Sequence, residues 1–377
     1  MATIFDYIKQ IGDLSIYDQP FGELDVLALT ELTYLSFEGL DLEAVQPQPE
    51  RRLLEIANQV PRISTMMTTS DRLELLDRLI QTTRFKNVKL LAYQNDIDRA
   101  LEKQFAAMTY RLSLDTYLVV FRGTDDSIIG WKEDFHMTYM DHIPAQRSAL
   151  AYLERMMMHY PKAHFLVAGH SKGGNLAIYA ASFLSPCLQN RLEKIYSYDA
   201  PGLNKSLVML EGYRACAHKI HRYIPQGSII GMMLEVPEPA QIVYSTALGG
   251  ITQHSTFTWQ IEESHFVTLD QTTADSQQTD KALKNWVQEV PDEELKDFFD
   301  IFFGLILDAG IESVDDLAKL ENMSKLGSIF QNARMLDPKK QEMMMRLGRQ
   351  LLDTRYQIWR EERELPGFLD SLWKQEK

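Results

Sequence analysis

Apolar residues follow two different periods along this chain, and the change between them divides it. Up to residue 86 they recur at helical spacing: Leu24, Val26, Leu27, Leu29, Leu32, Tyr34 and Leu35 form one block, Leu53, Leu54 and Ile56 another, and Leu73, Leu75, Leu76, Leu79 and Ile80 a third. These blocks predict helices with one polar face, packed against the body of the protein. From Val88 the period shortens. Val88–Tyr93, Gln104–Tyr110 and Thr116–Phe121 predict successive strands, with turns at Asn95–Asp98 and Leu112–Asp115. Ala149–Tyr160 returns to helical spacing and stops at Pro161, its Met156-Met157-Met158 run reading as adaptable core filler.

After His164 a short apolar run ends in Gly169-His170-Ser171-Lys172-Gly173-Gly174-Asn175, and an Ala/Leu-rich helical stretch begins at once. Strand, sharp turn and helix around Gly-x-Ser-x-Gly is the context of a nucleophile elbow. Gly169 and Gly173 leave room for neighbouring backbone, Gly174 lets the helix pack close, and Ser171 is presented at the helix's amino end. The plain alternative is a structural turn with an inert serine. Two later segments bring matching chemistry. Tyr196-Ser197-Tyr198-Asp199 predicts a strand that ends on a carboxylate before Ala200-Pro201-Gly202, at the edge where Ser171 emerges. His254 follows Gly249-Gly250 and precedes Thr256–Ile261, read as a strand, so its imidazole projects from an edge loop. A triad acid needs only to reach the base's far nitrogen, so Asp199 is the candidate acid, and the loop placement of His254 suits a base. Asp199 has a competing reading as a turn residue bonding its own backbone, and His265 is the rival base.

Beyond residue 275 the character changes to a polar linker at Gln277–Thr279 followed by helices over Lys281–Val290, Asp292–Ala309 and Pro338–Arg363, with a capping box at Ser313-x-x-Asp316 opening another. Three regions result: a mainly helical segment 1–84, an α/β core 85–275 and a helical C-terminal region 276–377. The last packs on the body or pairs with a second copy of the chain as a homo-oligomer.

Composition narrows the function. The chain has 377 residues, 45% hydrophobic and 24% charged, with a net charge of −14. That charge opposes nucleic-acid phosphates and anionic lipid headgroups. Cys187 and Cys216 lie in segments that read as interior, and two free thiols suit a reducing compartment. With neither a basic-then-apolar leader at the amino end nor an apolar run long enough for a membrane span, cytoplasmic residence is expected. The nine histidines show no ligand spacing with Cys or Glu, so neither a metal nor a cofactor is expected.

The segment Arg122-Gly123-Thr124-Asp125-Asp126-Ser127-Ile128-Ile129-Gly130-Trp131-Lys132-Glu133-Asp134-Phe135 resembles the class 3, fungal-type lipases, in which a strand ending Arg-Gly-Thr/Ser is followed by Ser-Ile-x-x-Trp-x-x-Asp-Leu. The resemblance covers residues 85–275, and the Gly-His-Ser-Lys-Gly-Gly elbow is similar to a bacterial branch of that superfamily. It implies an α/β-hydrolase fold, a central mostly parallel sheet flanked by helices, here with a helical C-terminal appendage. It also implies that Thr124 supplies an oxyanion N–H, beside the Lys172 N–H that the elbow itself places at the helix's amino end, and that Ser127, Ile128, Ile129 and Trp131 form a lid or lid root that touches substrate. It further implies that His254, whose His254-Ser255-Thr256-Phe257-Thr258-Trp259 segment is similar to the family's closing His-x-x-x-x-Trp, is the general base. Core packing is the bland reading for Ile128, Ile129 and Trp131. The family's acid comes one strand later, in Asp-x-Val-Pro; here that stretch is Tyr223-Ile224-Pro225-Gln226-Gly227-Ser228, with Ser228 where the Asp belongs. Lys172 stands where class 3 lipases carry Leu, and at a helix amino end it calls for a carboxylate partner or an anionic substrate group.

The expected function is hydrolysis of a carboxylic ester, lipid-like, by Ser171, Asp199 and His254. A lipase-fold binding or regulatory module, a thioesterase and a peptidase are the alternatives.

Overall fold

The fold is described by a computed structural model over residues 2–39, 50–63, 68–98, 100–125, 127–312 and 323–363. Helices α1 (Ile4–Ile11), α2 (Glu23–Leu32) and α3 (Thr69–Leu79) precede the sheet, which gains a short edge strand β1 (Arg51–Arg52). The sheet continues with β2 (Lys89–Asp98), β3 (Lys103–Arg111), β4 (Thr116–Phe121), β5 (His164–His170), β6 (Leu192–Tyr198), β7 (Ile220–Pro225) and β8 (Ala240–Val243). A small hairpin of β9 (Ile261–Glu262) and β10 (His265–Phe266) leads to β11 (Thr268–Leu269). The strands lie in chain order β1 to β8, with β11 beyond β8. From β4 to β8 every neighbour is parallel, while β1 to β4 and the β8–β11 pair are antiparallel. This is an α/β-hydrolase sheet, parallel at its centre and flanked by helices.

Side-chain alternation along the strands builds two cores, because successive residues of a strand point to opposite faces. Leu118, Val120, Leu166, Ala168, Tyr196 and Tyr198 pack under α1, α2 and α3. Tyr117, Val119, Phe121, Phe165, Val167 and Ile195 pack under α5 (Pro144–His159) and α6 (Lys172–Phe183), the crossovers on the other face. The leucine blocks of the first 80 residues therefore supply a whole layer of the fold. Between β4 and α5 lies α4 (Ile128–His136), which shares a third apolar cluster with α7 (Ala274–Glu289), α8 (Asp292–Asp308) and α10 (Pro338–Arg363); α9 (Met323–Met335) precedes α10. Through this cluster the C-terminal helices seat on the body.

Several local expectations are corrected. Asn95–Asp98 continues β2 opposite Lys103–Ala106 instead of turning, its polar residues extending a hairpin past the layers that cover the sheet. Gln277–Thr279 lies inside α7, because Thr273 caps that helix by accepting from the Ser276 amide and so starts it before the apolar period begins. Cys187 is exposed and Cys216 buried, both as free thiols. The Ser313-x-x-Asp316 capping box lies outside the described residues. Among the described residues no helix is long and apolar enough to cross a membrane.

Candidate active site

Ser171 sits between β5 and α6 with φ 58° and ψ −136°, the strained backbone that a nucleophile elbow imposes. The flanking glycines permit it. A Cβ on Gly169 would lie 2.1 Å from the Gly173 carbonyl carbon, one on Gly173 2.1 Å from the Phe121 oxygen, and one on Gly174 2.5 Å from the Ala200 Cβ. Register sets Phe121 beside Gly169 and Gly169 beside Ser197, so β4, β5 and β6 deliver Gly123-Thr124, Ser171 and Asp199 to one sheet edge. Ser171 retains 9% of its surface in contact with solvent.

Asp199, also in a left-handed conformation at φ 40°, is buried. Its Oδ2 accepts from His254 Nδ1 at 2.6 Å, which makes Nδ1 the donor and, in the neutral ring, leaves Nε2 as the acceptor. Its Oδ1 accepts from Ser228 Oγ at 2.5 Å and from the Gly231 amide at 3.1 Å. Ser228, at the position where the lipase pattern carries its acid, thus holds the carboxylate that arrives from the neighbouring strand. The His254 side chain is 22% exposed. Among the described residues no hydrogen bond joins Ser171 Oγ to His254; catalytic contacts in unliganded sites are often long and tighten on substrate binding.

The loop carrying His254 departs from expectation. Thr256–Thr258 forms a 3-10 turn where a strand was read, because Thr258 Oγ1 turns back to the Ser255 carbonyl and competes with ladder pairing. Trp259 Nε1 donates to the Gln253 carbonyl at 2.8 Å, and Gln253 Oε1 accepts from the Gly227 amide at 2.7 Å. Beneath it lies a network that sequence reasoning missed. His170 Nε2 donates to the His254 carbonyl at 3.0 Å while its Nδ1 accepts from Tyr34 Oη at 3.1 Å. Burial pushes the His170 pKa well down, keeping the ring neutral as those two roles require. Glu31 accepts from Thr256 Oγ1 at 2.8 Å and pairs with Arg72 at 2.9 Å. The N-terminal layer therefore reaches the histidine loop, and Glu31, which with Asp25, Thr30 and Thr33 interrupts the leucine block, was the available signal.

Both candidate oxyanion donors are uncommitted: among the described residues neither the Thr124 nor the Lys172 backbone N–H finds an acceptor. Thr124 Oγ1 instead donates to Asp134 Oδ2 at 2.5 Å. Burial raises the Asp134 pKa to about 6, against the pull of the Lys172 ammonium and the Thr124 hydroxyl. The Lys172 side chain runs inward, with Nζ donating to Glu133 Oε2 at 2.9 Å, Gln104 Oε1 at 2.9 Å and the Gln104 carbonyl at 3.0 Å. Its partner is thus a carboxylate of the protein.

The residues read as a lid are placed differently from one another. Ser127 caps α4, accepting from the Gly130 amide at 3.1 Å. Ile128 is buried in the cluster beneath the C-terminal helices and Trp131 packs against it, while Ile129 is half-buried. For Ile128 and Trp131 the substrate-touching expectation gives way to packing, since α8 covers that face. His265 is exposed beside Glu23, 3.1 Å away, and His221 stacks on Tyr196. A grouping of Glu102, His136 and Asp300 brings three donor atoms within 4.8 Å of one another, but Lys132 Nζ already stands 2.6 and 2.7 Å from the two carboxylates in the place of a cation.

A strained serine at a strand-to-helix turn, with a carboxylate-bound imidazole on the same edge of a parallel sheet, defines the lipase-like class of α/β-hydrolase folds. Within it, the chain belongs to the Mbeg1-like family, whose model matches residues 79–304. No curated protein matches the sequence significantly. Similar solved structures include the lipase of Rhizopus microsporus var. chinensis, 20% identical over 46% of this chain and 63% of that one with a TM-score of 0.30. The Rhizomucor miehei lipase propeptide complex is 18% identical over 53% and 69%, TM-score 0.32. A lipase of Yarrowia lipolytica is 12% identical over 49% and 72%, TM-score 0.33.

Proposed function

We propose that this protein is a serine hydrolase of carboxylic esters. Ser171 is the nucleophile, His254 the general base and Asp199 the acid that orients it. His254 Nε2 takes the proton from Ser171 Oγ as that oxygen bonds to the ester carbonyl carbon, and the N–H groups of Thr124 and Lys172 receive the oxyanion. Collapse breaks the carbon–oxygen bond to the alcohol, which leaves with the proton from His254. Water, deprotonated by the same nitrogen, then attacks the acyl-enzyme, releasing the acid and Ser171.

The observation that carries this reading is the 2.6 Å bond from His254 Nδ1 to buried Asp199, which leaves Nε2 bare at the sheet edge where Ser171 turns. One observation favours a second reading, a binding module on the same fold: Ser171 Oγ and His254 are not hydrogen-bonded to each other. Fluorophosphonate labelling and a series of p-nitrophenyl esters of rising chain length separate the two. Labelling and turnover by the wild type, both lost in Ser171→Ala, support the hydrolase; labelling that persists at another residue, or no turnover by the wild type, refutes it.

A further inference from the structure

If α4 were a mobile lid, its apolar residues would have to swing free, and they are held from two sides. Toward the sheet, buried Glu133 accepts from Lys172 Nζ at 2.9 Å and the Gln104 amide at 3.0 Å through one oxygen, and from the Ala145 amide at 3.1 Å through the other. All three donors of the Lys172 ammonium are used, to Glu133 and to two oxygens of Gln104, and both side chains of the pair are fully buried. Next to Glu133, Asp134 takes the Thr124 hydroxyl. On its other side α4 lies against the C-terminal region. The Ile128 amide donates to the Glu312 carbonyl at 2.8 Å, the Phe135 ring sits 4.7 Å from Phe299 and 5.6 Å from Phe303, and Lys132 reaches Asp300 at 2.7 Å.

Moving α4 outward would strand an ammonium in the interior one residue from the nucleophile and would bare Ile128 and Phe135 to water. With α4 seated the His254 side chain is 22% exposed and Ser171, though buried, keeps 9% of its surface open, so the present opening already leads to the site. An enzyme that draws substrate from an aggregate must present apolar surface to that aggregate, and here Ile128, Trp131 and Phe135 are spent on the cluster shared with α8, with Ile129 alone of the segment's large apolar residues left half-buried outside it.

We infer that the substrate is a carboxylic ester taken one dissolved molecule at a time, with α4 as a fixed wall of the site; this rests on the reading of Ser171 as nucleophile. The test uses the full chain with tributyrin, measuring initial rate from well below to well above its solubility limit. In parallel, hydrogen exchange of the α4 amides is followed with and without the tributyrin emulsion. Hyperbolic saturation that passes the limit without an upturn, with α4 protection unchanged, is the expected result. A severalfold jump in rate at the limit, or faster exchange in α4 when emulsion is present, overturns the inference and leaves the hydrolase reading intact. No hydrolysis at any concentration together with no fluorophosphonate labelling of Ser171 defeats both.

Discussion

Replacing Asp199 by asparagine tests the proposed triad at the point where the geometry is most restrictive. Oδ1 receives two donors, Ser228 Oγ at 2.5 Å and the Gly231 amide at 3.1 Å, whereas Oδ2 receives one, His254 Nδ1 at 2.6 Å. In Asp199→Asn the amide oxygen must stay with the two donors, which turns the NH2 group toward His254. Nδ1 then becomes an acceptor and the ring proton moves to Nε2. A histidine in that tautomer cannot take the proton from Ser171. The same exchange in serine triads lowers kcat by about 10⁴, or roughly 5.5 kcal/mol of transition-state stabilisation. The assay is kcat on p-nitrophenyl butyrate at a pH above the ordinary histidine range, with thermal unfolding as a check that the fold persists. A rate within about tenfold of wild type would refute the assignment of Asp199. Returning the carboxylate to the position of the lipase pattern, in Asp199→Ser with Ser228→Asp, should recover roughly tenfold or more over Asp199→Ser alone, since the two sites are in contact and their effects do not add.

Gly231→Ala would place a Cβ 2.4 Å from Asp199 Oδ1 and 2.6 Å from Ile224 Cγ2, so kcat should fall about 100-fold with KM little changed, as expected for an acid displaced by an ångström; steady-state kinetics decides. Glu133→Ala strips the buried Lys172 ammonium of its nearest carboxylate, leaving Asp134 3.8 Å away, and strips the Gln104 and Ala145 amides of an acceptor, so it should cost about 3–5 kcal/mol in urea unfolding, while Glu133→Gln, which keeps an acceptor oxygen, should cost less; equal stability of Glu133→Ala and wild type would show the pair to be inert. Asp134, its pKa raised by burial from 3.8 to about 6, keeps a proton in the native state that the unfolded chain has released, so its contribution to stability falls as pH rises through that window and stays low above it. Asp134→Asn should therefore gain stability relative to wild type near neutral pH and little at acid pH, by at most about 3 kcal/mol from the shift and roughly half of that once solvent screening at its 19% exposed side chain is counted. A difference in unfolding free energy that does not change between the two conditions would contradict it.

What the sequence discloses of this site follows from how local each constraint is. The elbow is legible because three glycines within six residues have no other reason to cluster: each faces backbone or Cβ atoms at distances that no side chain could meet. Strand β4 is bounded as its pattern predicts, since its apolar run has no break from Tyr117 to Phe121, and helix α10 begins at Pro338 as expected, because a proline's fixed φ suits the first helical position. The cover over α4 is not legible, because Phe299 and Phe303, some 170 residues further on, supply it, and an Ile-Ile-Gly-Trp run looks the same whether solvent, substrate or a helix covers it. The Tyr34–His170 contact escapes for the same reason, since no periodicity relates residues 136 positions apart. The candidate acid falls between these cases. Register brings β6 and β7 out side by side, with Tyr198 opposite Tyr223, so a carboxylate just beyond either strand can face the same imidazole. A serine at the other position then provides the hydroxyl that the relocated carboxylate would otherwise lack. Ser228 and Asp199 are therefore best read as one coupled choice, in which each residue type is explained only by the presence of the other.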